Sequence, residues 1–128
     1  MGRIKPDLLA RVEAFSDRVL EVAEALSKRK LPPRLLGQIV AAGTSVGANL
    51  FEADEAMSRS DFCKCLAIAV KELNETRYWI RLAGRRGWIP SGRLSALEQE
   101  CRELMLIFGT MISRTRARSA PASAVNQA

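Results

Sequence analysis

An all-α fold, an up-and-down antiparallel four-helix bundle, is what this chain predicts, and three observations predict it. Four segments repeat apolar residues at alternating steps of three and four, the spacing that lines one face of a helix. Proline, serine and glycine stand at the segment boundaries, where helices start and stop. The links between segments are only a few residues long, so consecutive helices must run antiparallel.

The first helix is predicted over residues 7–28, on the stripe Leu8, Val12, Phe15, Val19, Val22 and Leu26. Pro6 and Asp7 suit its first turn, and Pro32-Pro33 closes it. The second carries Leu36, Ile39, Gly43, Val46, Leu50, Ala53 and Met57, with Pro33 opening it and Ser58 or Ser60 ending it. Gly37, Gly43 and Gly47 each cost about 1 kcal/mol against Ala in a helix interior, which close approach of a neighbouring helix would offset. The third follows Ser58-Arg59-Ser60-Asp61 with Phe62, Leu66, Ala69, Leu73, Thr76, Ile80 and Ala83, and exits at Gly84 and Gly87. The fourth starts after Pro90, with Ser91 as cap, and runs Leu94, Leu97, Cys101, Leu104, Phe108 and Met111. Beyond Arg114 the periodicity fades, which divides the chain into a bundle domain over 1–115 and a mobile, partly basic tail over 116–128.

A chain of 128 residues, 48% hydrophobic and 5% aromatic, suits one aliphatic core and no second domain. Some of its apolar residues exceed what a monomer needs. Leu104-Met105-Leu106-Ile107-Phe108 is apolar all round, and Ile68, Val70, Tyr78 and Trp79 stand off the third stripe. Helices with two apolar faces need two neighbours, which predicts a homo-oligomer with Ile107 and Val70 among the outward positions.

Chemistry is constrained more by absence than by presence. The chain contains no histidine, which removes the usual general base and the Ser/His and Cys/His nucleophile pairs, so no catalytic residue is assigned and no enzyme is expected. Glu72 and Glu75 suggest either the paired carboxylates of an acid–base enzyme or part of a metal cluster, with Glu52, Asp54, Glu55 and Asp61 as further acid nearby. Carboxylate-bridged di-iron bundles add histidine in Glu-x-x-His, however, so neither a metal nor any other cofactor is expected. Cys63 and Cys65 point about 200° apart on a helix and cannot share an ion. Cys101 falls on the fourth apolar stripe as a small core residue. Ser45, Asn49 and Glu52 share one side of the second helix and are expected to hydrogen-bond to a neighbouring helix and fix its register. The odd cysteine count and an N-terminal stretch without an apolar signal core predict a cytoplasmic protein, and no apolar run is long enough for a spanning helix, so no membrane partner is expected.

The formal charge of +6 favours a polyanionic partner. Arg77, Arg81 and Arg85 recur every four residues on one face of the third helix, and no acid lies three or four positions from any of them. Their counter-charge must come from another helix, another subunit such as one offering Glu98, Glu100 or Glu103, or a ligand. Arg86, Arg93, Arg114, Arg116 and Arg118 add charge at the turns and the C-terminal end, and guanidinium forks match phosphate oxygens. These eight arginines are the candidate nucleic-acid-binding set. Tyr78 and Trp88 offer rings for base stacking, with core packing the expected fate of both.

Thr44-Ser45-Val46-Gly47-Ala48-Asn49-Leu50-x-Glu52-Ala53, then Ser58-Arg59-Ser60-Asp61-Phe62, then Lys71-Glu72-Leu73-x-Glu75-Thr76-Arg77-Tyr78-Trp79 resemble the bacterial four helix bundle protein family, that of the intervening-sequence proteins encoded within large-subunit ribosomal RNA genes. The resemblance runs from Leu8 to about Arg114 and implies a four-helix bundle, commonly a ring-like homopentamer. The related accessory variability determinant of diversity-generating retroelements is a basic pentamer working beside a reverse transcriptase and its RNA. Arg77-Tyr78-Trp79-Ile80-Arg81-Leu82-Ala83-Gly84 and the basic C-terminal end are similar to it. The resemblance therefore implies a non-enzymatic, oligomeric RNA or DNA/RNA binder with a reverse transcriptase as partner, or else an interaction scaffold that touches no nucleic acid.

Overall fold

The structure, a computed structural model, describes residues 2–119. Four helices follow in order: α1 (Pro6–Ser27), α2 (Pro33–Asp54), α3 (Arg59–Arg85) and α4 (Ser91–Ser119). Links of four or five residues reverse the chain each time, giving the antiparallel up-and-down bundle. Neighbours in sequence are neighbours in space: α1 packs on α2, α2 on α3 and α3 on α4, whereas α1 and α4 meet at only a few points.

Each terminus follows from local chemistry. Pro6 and Pro33 open α1 and α2, where the missing N–H costs nothing. Ser58 Oγ accepts the Asp61 N–H at 3.0 Å to cap α3. At its other end Gly87 adopts φ +69°, and the Gly87 and Trp88 N–H groups donate to the Gly84 and Ala83 carbonyls. That Schellman turn sends Trp88 and Ile89 back onto the core while Arg85 and Arg86 stay exposed. α4 begins at Ser91 itself, one residue earlier than a Ser91 cap requires.

The predicted stripes interlock as one core, whose largest fully buried members include Phe15, Phe108, Leu26, Leu50, Leu66, Leu73 and Leu104. Thr76 is buried among them because its Oγ1–H donates to the Glu72 carbonyl at 2.8 Å. Gly43 meets Val19 of α1 so closely that a Cβ there would lie 2.3 Å from Val19 Cγ1. Gly47 faces Ser16 Oγ at 3.2 Å from the same notional position, while Gly37 faces nothing within 4 Å. Close approach therefore explains two of the three glycines.

Four expectations need correction. Met57 lies beyond the end of α2 and is 91% exposed, because the helix stops at Asp54 before the spacing reaches it. α4 continues to Ser119, with Ile112 and Thr115 buried, so the boundary at 115 falls inside a helix. The remainder of the predicted tail, 120–128, lies outside the described residues. Ile107 and Val70 are half-buried against the core, and the outward residue of α4 is Leu106, 72% exposed. Asn49 Nδ2 donates to the Ser45 carbonyl and to Ser45 Oγ, both within α2, so Ser45 and Asn49 bond along their own helix rather than to a neighbour.

Two features at the ends and seams have no sequence periodicity. Ile4 is buried, its N–H donating to Asp54 Oδ1 at 2.7 Å, and the Arg3 N–H donates to the Asp54 carbonyl, so the lead-in segment is pinned to the end of α2. Across the sparse α1–α4 seam, Arg11 grips Glu100 with two hydrogen bonds, Nε to Oε2 at 2.7 Å and Nη2 to Oε1. The Arg11 hydrogen bond outweighs partial burial and holds the Glu100 carboxyl below its ordinary value. A depressed folded-state pKa gives stability that is present above the unfolded value and lost as pH falls through the folded one. Glu100→Gln is therefore expected to cost about 1 kcal/mol at neutral pH, with the gap to wild type closing in acid. Urea melts of both proteins at the two pH values check this.

Candidate nucleic-acid interface

The counter-charge to the arginine stripe comes from within the chain. Glu98, two turns into α4, lies with Oε1 at 3.5 Å from Arg77 Nε, 3.1 Å from Arg81 Nη1 and 3.5 Å from Arg102 Nη2. Only Arg81 makes a hydrogen bond with it. Burial pushes the Glu98 carboxyl up, but Arg81, Arg102 and Arg77 together outweigh it and leave the group below its ordinary value. One carboxylate against three guanidinium groups leaves an excess of two positive charges on the α3–α4 ridge. The Arg77 Nε is buried with no hydrogen-bond acceptor among the described residues, a donor held toward Glu98 without the alignment to bond to it.

Arg85 continues the ridge past Glu98. With Arg81, Gly84, Ser91, Ser95 and Glu98 it lines an open hollow of about 530 Å³ between the end of α3 and the start of α4. Arg86 is exposed at the turn and Arg93 on the first turn of α4. The structure thus joins Arg77, Arg81, Arg85, Arg86 and Arg93 at one end of the molecule. Arg114, Arg116 and Arg118 stand on the last turns of α4, about 35 Å away along its axis by the helical rise. Of these, Arg118 is bonded locally: its Nη2 donates to Thr115 Oγ1, and its carbonyl accepts from Arg59. The eight arginines do not form one site.

The rings part company as well. Trp88 is half-buried against the core, while Tyr78 is 52% exposed on α3 with its ring edge-on to Trp79 at 5.1 Å. Of the two rings Tyr78 is the more exposed. Residues that sequence reading missed are Arg102, spaced four from Glu98 on α4, and Glu98 as a keystone inside one subunit. Partial burial and the neighbouring Glu75 raise the Glu72 carboxyl. Partial burial and the charges of Glu52 and Asp61 raise the Cys65 thiol, and burial raises Cys101 to about 12, so neither is an activated nucleophile. Among the described residues no helix is long and apolar enough to cross a membrane.

An antiparallel four-helix bundle with a basic ridge along α3 and α4 is the class these features define. Within it, residues 7–109 match the 23S rRNA-intervening sequence protein family, and the chain belongs to that family. A solved relative is a protein of unknown function from the S23 ribosomal protein family of Bacteroides thetaiotaomicron VPI-5482, 32% identical, with a TM-score of 0.76 over 81% of this chain and 96% of that one. No curated protein matches the chain.

Proposed function

We propose that this chain is a non-enzymatic accessory protein that binds RNA phosphates through the α3–α4 ridge and works as a homo-oligomer. The observation that carries the reading is the arithmetic at Glu98: three arginines converge on one acid, and Arg85 beside them pairs with none among the described residues. A ridge that stays positive after the fold has supplied its own counter-ion is suited to an outside polyanion. Exposed Leu106, Tyr78 and Ile68 support assembly, since a lone bundle gains nothing from them. The most concrete form of the role, resting on the likeness to the retroelement accessory protein, is a ring, pentameric by that likeness, that escorts RNA to a reverse transcriptase in the cytoplasm. Co-purification with a reverse transcriptase of the same retroelement checks that partner.

A second reading is an interaction scaffold with no nucleic acid. Glu98 favours it, because the acid already occupies Arg81 and restrains Arg77. Salt dependence separates the two. Wild-type affinity for a stem-loop RNA should fall steeply with salt, by about 0.7 to 0.9 log units per log unit of salt for each neutralised phosphate. Replacing Arg77, Arg81 and Arg85 with Gln should flatten that slope by about 2, weaken different RNA sequences equally, and leave helicity unchanged. Equal binding by wild type and triple variant removes the ridge as the site.

A further inference from the structure

The antiparallel topology places the α1–α2 and α3–α4 links at the same end of the bundle, and Arg29 Nη1 joins them by donating to the Trp88 carbonyl at 3.3 Å. Between them these links and the adjoining helix turns carry Lys28, Arg29, Lys30, Arg34, Arg85, Arg86 and Arg93, every one exposed. No acid occurs in residues 27–34 or 85–93, and none of the seven forms an ion pair among the described residues. The nearest acids are Glu24 one turn back in α1, Glu21 beside Arg93, and Glu98, already shared by three arginines. Seven of the chain's 20 basic residues stand here, so the other 13 and the 14 acids nearly cancel. The entire formal excess of +6 is concentrated on this one end.

We infer that this loop end is the principal nucleic-acid contact, with Lys28, Arg29, Lys30 and Arg34 of the first link completing a cap begun by Arg85, Arg86 and Arg93; the inference rests on the RNA-binding reading above. The chemistry of the cap selects the partner. Five of the seven groups are guanidinium forks, which match phosphate oxygens. The large apolar residues of the same links, Leu31, Trp88 and Ile89, are half-buried or buried on the core. The cap therefore offers no apolar anchor for a protein hot spot and no wedge for a bilayer. Four helix ends of about 10 Å each make a surface roughly 20 Å across, facing on the order of ten phosphate charges of a duplex. Contacts of this kind bind without reading sequence.

The test uses full-length protein and a stem-loop RNA with single-stranded tails, measured by anisotropy across a salt series. Replacing Lys28, Arg29, Lys30 and Arg34 with Gln is expected to lower affinity roughly tenfold or more and to reduce the salt slope by about 3, with helicity and subunit count retained. Because Arg29 ties the links together, the variant K28Q/K30Q/R34Q repeats the measurement with that bond intact, and a slope reduced by about 2 is expected. A wild-type protein that binds RNA while both variants bind it equally well overturns the cap and leaves the ridge standing. A wild-type protein that does not bind RNA at low salt overturns the RNA-binding reading itself. Cap-dependent capture of phosphatidylserine vesicles or of poly-glutamate, with affinity at or above that for RNA, overturns the choice of partner.

Discussion

Gly43→Ala is expected to destabilise the bundle by about 2 kcal/mol, although alanine is the better helix former. Alanine gains about 1 kcal/mol over glycine inside a helix. Against that stands a new methyl 2.3 Å from Val19 Cγ1 and 2.9 Å from Val19 Cβ, where a stiff β-branched residue cannot turn aside. A contact this short puts the overpacking cost at the upper end of its usual range, about 3 kcal/mol, so α1 must shift and the net loss is about 2 kcal/mol. The other two glycines give the opposite control. Gly37→Ala should gain about 1 kcal/mol, since nothing lies within 4 Å of its notional Cβ. Gly47→Ala, 3.2 Å from Ser16 Oγ, should fall between them. Urea melts of the three variants test the order, and Val19→Ala should rescue Gly43→Ala as a contacting pair in a double-mutant cycle. Equal effects at the three sites would mean that helix propensity, not contact with α1, sets their energies.

The fold was legible because each helix buries a single stripe and the caps are local: Ser58, the prolines and Gly87 act within a few residues of themselves. What escaped notice depends on partners remote in sequence. Ile4 has no periodic companion, and its burial follows from hydrogen bonds to Asp54, 50 residues on. Thr115 extends the α4 stripe with a residue that reads as polar until its hydroxyl is seen to donate to the Met111 carbonyl. Glu98 is expected from the sequence to reach the arginine stripe from a second subunit, but it pairs with Arg81 inside one chain, across a helical hairpin at a separation of 17 residues. The loop-end cap was the most accessible of the missed features. Lys28-Arg29-Lys30 and Arg85-Arg86 are plain runs, and an up-and-down topology requires their two links to lie together.

Leu106→Glu is expected to lower affinity for long RNA by 10²-fold or more while leaving a short RNA that reaches one subunit unaffected. The premise is assembly. Leu106 is 72% exposed on α4 and lies off the buried stripe of Leu104 and Phe108, so a charge there does not enter the core. Ile107, half-buried, lacks that property, and a carboxylate at that position would confound folding with assembly. If Leu106 packs against a second copy, the buried and unpaired glutamate opposes association and the ring should separate into folded single chains. Each chain keeps its ridge and cap but loses its neighbours. Linked sites gain about 10²–10⁴ in avidity without any new contact, and that factor is what the variant should forfeit. Light scattering with a sizing column gives the subunit count, circular dichroism the helicity, and anisotropy with short and long RNA the affinities. A variant that stays assembled removes Leu106 from the interface, and a folded single chain that binds long RNA as well as wild type would show that one basic end suffices.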